Sequence, residues 1–222
     1  HIISLVILAT RPMVWAQTES INDAALWLTI NLEKKINDRW DIQLNQHNRI
    51  GENMTTYTRG NLDLGAKYHF NKSLKMMGGY VFIKNRRLDN SYATNHFLYL
   101  AVAAKKEYKN WELTYRNLVQ ARFRDFNTSE TWNMPVWYER NKLTLSYQIN
   151  KRYEGYVAQE LYYPLNQTRT KGFDRSRSFG GLIYKVNKDV KVDFYFLFQQ
   201  ELNARNATNR DFVYGISYNQ EF

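Results

Sequence analysis

The sequence contains no cysteine, which excludes a disulfide scaffold, thiolate metal centres and cysteine nucleophiles. Three prolines and ten glycines in 222 residues exclude collagen-like and proline-rich chains. Histidine is scarce, with four copies. No run of 18 apolar residues occurs, so no transmembrane helix is encoded. No glycine-rich phosphate loop is present either. Gly78-Gly79 and Gly180-Gly181 fall inside alternating stretches, where glycine is expected to relieve curvature in a closed sheet. What is abundant is aromatic residues, at 16%, and positive charge, with 31 Lys+Arg against 21 Asp+Glu. An apolar content of 44% argues against disorder.

The first sixteen residues differ from the rest. Ile2 to Thr10 form an apolar run too short to span a bilayer as a helix. Val14 and Ala16 then supply compact residues at −3 and −1 of a cleavage site. This reads as a secretory signal peptide over 1–16, cut after Ala16, with a single domain over 17–222. The alternative is an ordinary N-terminal strand or helix.

Beyond that point the chain alternates. Trp40, Ile42 and Leu44 stand against Asp41, Gln43 and Asn45, and Leu62, Leu64 and Ala66 against Asp63 and Lys67. Likewise Trp111, Leu113, Tyr115, Val119 and Phe123 stand against Glu112, Arg116, Gln120 and Arg122. Period two over 9–13 residues means strands with one apolar and one polar face. A short phrase recurs between them, with Asn at 37, 71, 110, 150 and 187, placed where a tight hairpin can use the left-handed backbone that Asn tolerates. Longer polar segments alternate with these turns and hold Pro135 and Pro164. Eleven strands are counted, and ten to twelve are expected. An odd number is awkward for an up-and-down barrel, because it separates the chain ends. Three resolutions are open: residues 17–23 cross the lumen, a strand is miscounted, or a parallel pair closes the barrel.

Long strands with one apolar face need closure to remove their edges. The expected fold is all-β: a transmembrane antiparallel up-and-down β-barrel with short periplasmic turns and longer extracellular loops. Its expected lumen-lining residues are Asp41, Arg49, Asp63, Lys67, Glu112, Arg116, Gln120, Arg122, Asp193 and Glu201. Its expected lipid-facing or interface aromatics are Trp40, Phe70, Trp111, Phe123, Phe194, Phe196, Phe198, Tyr214, Tyr218 and Phe222. Inward carboxylates such as Glu160 and Asp63 are expected to pair with Arg116, Arg122, Lys67 and Lys191 rather than to act as acid–base pairs. His47 and His69 fall near opposite ends of adjacent strands, and no Ser aligns with a His, so neither a metal, a cofactor nor a catalytic residue is assigned.

The last strand, Phe212-Val-Tyr-Gly-Ile-Ser-Tyr-Asn-Gln-Glu-Phe222, resembles the C-terminal signal of bacterial outer-membrane proteins. That resemblance implies insertion by the barrel assembly machinery, with Gln220 departing from the apolar residue usual at that position. The stretches Trp27–Trp40, Leu62–Lys72, Gly78–Tyr80 and Phe194–Asn203 resemble the DUF2490 family, a group of uncharacterised barrel proteins mainly from Bacteroidota. The resemblance implies a location in the bacterial outer membrane and carries no activity or catalytic residue.

Three function classes follow: a small pore or solute/lipid transport barrel, a structural or accessory protein with a plugged lumen, and a membrane-embedded lipid hydrolase or acyltransferase. Nucleic acid is not an expected partner, because the aromatics alternate with aliphatics and do not stand among the basic residues. The expected partners are outer-membrane lipids and lipopolysaccharide. Arg86-Arg87 and the group Arg169, Lys171, Arg175 and Arg177 are the candidate sites for phosphates or anionic solutes. The oligomeric state is not encoded in these patterns.

Overall fold

A computed structural model describes residues 19–124, 135–167, 172–203 and 207–222. The expected leader over 1–16 and its cleavage site, together with Arg169 and Lys171, lie outside the described residues. Among the described residues, eleven strands run in chain order: β1 Glu19–Lys35, β2 Trp40–Gly51, β3 Thr56–His69, β4 Leu74–Arg86, β5 Tyr92–Tyr108 and β6 Trp111–Arg124, then β7 Val136–Gln148, β8 Tyr153–Pro164, β9 Arg175–Lys185, β10 Val190–Glu201 and β11 Ala207–Glu221. Each pairs antiparallel with the next in sequence. The exception closes the barrel: β1 pairs with β11 in parallel, from Glu19 opposite Ala207 to Glu33 opposite Glu221. Of the three resolutions of the odd strand number, the parallel pair is the one adopted, and residues 19–23 belong to β1. The last residue joins this seam, because the Phe222 N–H donates to the Glu33 carbonyl at 2.9 Å.

Four of the five short turns share one construction. The Oδ1 of Asn37 accepts from the N–H groups of Arg39 and Trp40, and Asn71 does the same for Ser73 and Leu74. Asn150 repeats it with Arg152 and Tyr153, and Asn187 with Asp189 and Val190. The recurring Asn therefore acts through its side chain, as an Asx turn, and not through a left-handed backbone. Among the described residues, positive φ outside glycine is confined to Glu52, Asn53, Met54, Asn90 and Lys109. The fifth turn differs: Lys109 takes φ 53° and Asn110 donates to the Gln148 carbonyl.

Strand alternation sorts side chains between two surfaces. Outward positions carry Leu44, Leu62, Leu64, Leu98, Leu100, Leu143, Val157 and Phe194, all exposed. Ring pairs gather toward the turn side, where Trp40–Tyr68 centroids are 5.0 Å apart and Trp111–Tyr147 4.6 Å. Others gather toward the loop side, with Phe198–Phe212 at 5.3 Å and Tyr163–Phe173 at 5.9 Å. Inward positions carry a small apolar cluster, Ala25, Leu197 and Val213, packed by Trp27, Phe179 and Tyr195. The glycines do more than relieve curvature. A Cβ at Gly181 would lie 2.5 Å from the Tyr156 ring, and one at Gly79 2.6 Å from the Tyr99 hydroxyl. These inward glycines leave the floor on which lumenal tyrosines lie, as Gly215 does for Tyr195.

Candidate functional site

The polar face of the alternation encloses a cavity of about 600 Å³ that runs along the inside of the barrel. A second, of about 680 Å³, continues it to the loop-side mouth, and both are lined by Trp27, Arg49, Arg59, Arg122, Arg175 and Arg177. Among the described residues, the inner cavity has nine cationic residues on its wall: Arg49, Arg59, Lys67, Arg116, Arg122, Arg140, Lys142, Arg175 and Arg177. Three carboxylates, Asp63, Glu160 and Asp193, face them. Of the residues expected to line the lumen, Arg49, Asp63, Lys67, Arg116, Gln120, Arg122 and Asp193 meet around this cavity. Asp41 and Glu112 sit toward the turn-side rim, bonded to His69 and to Thr114 and Lys105. Glu201 sits toward the loop side, 3.9 Å from Arg175.

Glu160 is the centre of the inner charge network and is 1% exposed. Arg116 and Arg140 both donate to its Oε1 at 2.8 Å, and Arg177 stands 3.6 Å from Oε2. The Tyr162 hydroxyl donates to Oε2 at 3.2 Å. One carboxylate therefore serves three guanidiniums from β6, β7 and β9, leaving a local excess of positive charge. Asp63 and Asp193 are instead held by neutral donors. Asn45 and Tyr99 donate to the first at 3.1 Å, and Tyr156 to the second at 3.0 Å.

The charge changes along the barrel axis. Toward the turn side, acid and base are matched: Lys67 with Glu33, His69 with Asp41, Lys185 with Glu154 and Lys191 with Glu221. Toward the loop side, arginines stack on aromatic faces. The Arg49 Cζ lies 3.8 Å from the Trp27 ring centroid, and Arg177 lies 5.3 Å from the same ring and 4.9 Å from Tyr162. Arg140 and Arg175 also approach Tyr162, at 4.5 and 5.4 Å. Trp27, Arg59, Arg140 and Tyr162 were not in the expected lumenal set. The signal for them was present in the parity of their strands. A lumenal Trp, however, reverses the rule that places aromatics outward. At the mouth, Arg86 pairs with Glu52 at 2.8 Å. The exposed carboxyl of Asp89 is held below the usual carboxylate range by the hydroxyl and N–H of Ser91.

The histidines do not assemble a hydrolytic centre among the described residues. The Thr29 hydroxyl lies 3.1 Å from His47 Nδ1, whereas the histidine beside a carboxylate is His69, 2.5 Å from Asp41. His47 and Asp41 are separated along β2 by roughly 20 Å at the rise of a strand. His96 lies beside the Tyr80 hydroxyl on the outer face.

Residues 24–210 match the protein family described as "Protein of unknown function (DUF2490)". No curated protein matches the sequence. Among solved structures, the fold is similar to a bacterial polysaccharide outer membrane secretin, with a TM-score of 0.51 at 10% identity. That alignment covers 84% of this chain and 63% of the secretin, so the chain spans less than two thirds of that protein's length. A NanC porin aligns with a TM-score of 0.49 at 11% identity, covering 84% of this chain and 90% of that one.

Proposed function

This chain belongs to the DUF2490 family, and we propose that it is an outer-membrane barrel whose lumen admits small anions from the loop side. The observation that carries this reading is the inner wall, where nine cationic residues face three carboxylates. Fixed charge on a narrow, low-dielectric channel concentrates counter-ions of the opposite sign. The outer-membrane assignment rests on the outward apolar band with aromatic pairs at both ends, the pattern of a lipid-facing barrel wall. The fold shared with a protein of outer-membrane title agrees with it. In this orientation the Asx turns face the periplasm and the loops the outside.

Purified barrel in planar bilayers, held under a KCl gradient, tests the proposal. Steady conductance with a reversal potential of the sign set by chloride supports it, and a cation-selective potential overturns it. A second reading, a barrel with a plugged lumen, draws on the packing of Arg49, Trp27 and Arg177 against one another across β2, β1 and β9. Absence of conductance from correctly folded protein would favour that reading.

A further inference from the structure

We infer that the loop-side half of the lumen is a binding site for a small water-soluble molecule carrying two or more oxyanion charges, phosphate or carboxylate, held by Arg49, Arg59 and Arg177. The inference rests on the cationic lumen proposed above but asks more of it: a saturable site in place of a diffuse potential.

Three independent features locate the site. First, Arg49 and Arg59 make no ion pair with any carboxylate among the described residues, and Arg177 shares its only carboxylate, Glu160, with two other guanidiniums. The Arg49 Nε is buried with no protein hydrogen-bond partner. Second, the guanidiniums are held in place. Arg49 and Arg177 stack on Trp27, Arg59 donates from Nε to Asn85, and Arg177 donates from Nε to Gln199 at 2.7 Å. Stacking uses the face of the guanidinium and leaves its edge N–H donors for in-plane bonds, the geometry that matches a carboxylate or phosphate. Third, the site has room. The mouth cavity of about 680 Å³ opens onto these residues, and pockets of some 300–1,000 Å³ take ligands of small-molecule size.

Multivalency follows from the charge count. Among the described residues, the mouth cavity is lined by seven arginines and by Asp23 and Asp211; with Glu52 beside Arg86 and Glu201 beside Arg175, an excess of positive charge remains. A monovalent ion would leave most of that excess in place, whereas a ligand with two or more charges can engage both Arg49 and Arg177, which each approach the Trp27 ring.

The experiment uses the folded barrel in detergent, with pyrophosphate and citrate as probes and sodium chloride at equal ionic strength as control. Calorimetric titration should show saturable binding of at least one probe. The midpoint of thermal unfolding should rise with that probe and not with chloride, since a ligand binding only the native state stabilises it by mass action. Arg49→Gln and Arg59→Gln should each weaken binding by about tenfold or more, the loss of a charge-assisted hydrogen bond to an anion. Arg49→Lys keeps the charge but loses the stacked fork and should weaken binding as well. Lys188→Gln on the turn side should leave it unchanged. An unfolding midpoint that follows ionic strength alone, or affinity indifferent to Arg49 and Arg59 in variants that fold, overturns the site. Anion selectivity without binding would leave the pore and remove the site; binding without conductance would leave the site and remove the pore.

Discussion

Glu160 places one negative charge, almost wholly removed from water, among Arg116, Arg140 and Arg177. Removing one partner of a buried ion network leaves the others uncompensated, at a cost of about 3–5 kcal/mol. Glu160→Gln keeps the shape and loses the charge, so it should lower the free energy of unfolding in detergent by that order. Urea titration followed by tryptophan fluorescence measures it. The double variant Glu160→Gln/Arg140→Gln should lose less than the sum of the two single losses, because the pair is coupled. Parity in the sequence puts Glu160 and Arg116 on the same face. It does not say that Arg140 and Arg177 meet them, because that depends on the stagger between β7, β8 and β9, which opposes Lys142 to Glu160 and Glu160 to Arg177. Arg59 keeps the phase of Asp63 and Lys67 along β3 and stands opposite Arg49; the register of β2 against β3 shifts only beyond that pair, between Arg49 and Ile50.

Strands and turns were far more legible than contacts, because period two and punctuation are local. The Asn repeat marked all five short turns, yet the mechanism differs between Asn110 and the other four. The two kinds of turn make a comparison. Asn71→Ala removes two hydrogen bonds to the backbone of Ser73 and Leu74, each worth about 0.5–1.5 kcal/mol net. Asn110→Ala removes one bond, to the Gln148 carbonyl. Equilibrium unfolding in micelles should therefore rank Asn71→Ala as the more destabilising, by roughly a factor of two. Equal effects would mean that the Asx geometry contributes little to turn stability. The glycine pairs were legible as breaks in a strand but not as tyrosine floors. Nothing in Gly180-Gly181 tells which of the two faces Tyr156 until the register of β8 against β9 is known.

At the scale of the whole barrel, the two surfaces of one strand should respond oppositely to the same kind of change. Leu64 is 60% exposed on the outer wall, and Asp63 beside it faces the lumen. An arginine on a lipid-facing wall near mid-membrane costs about 2–4 kcal/mol, so Leu64→Arg should depress refolding into lipid vesicles by that amount. Asp63→Asn should leave folding nearly intact and make the lumen more positive. Comparable losses from both would argue against lipid contact at Leu64. The parallel seam carries a different consequence for the topology of the chain. Glu19 and Glu33 lie opposite Ala207 and Glu221, so Glu19 and Phe222 stand at opposite rims. An even-stranded barrel can be circularly permuted by a short bridge between neighbouring ends. Here the bridge must cover the length of the seam, on the order of 45 Å at about 3.3 Å per residue of strand. It has only two routes, outside through the lipid or inside through the lumen. The first strands unpaired backbone groups in hydrocarbon, and the second threads a peptide between Arg49 and Arg177. Such a permutant would be a barrel with a built-in stopper, and its linker composition would report directly on what that passage accepts.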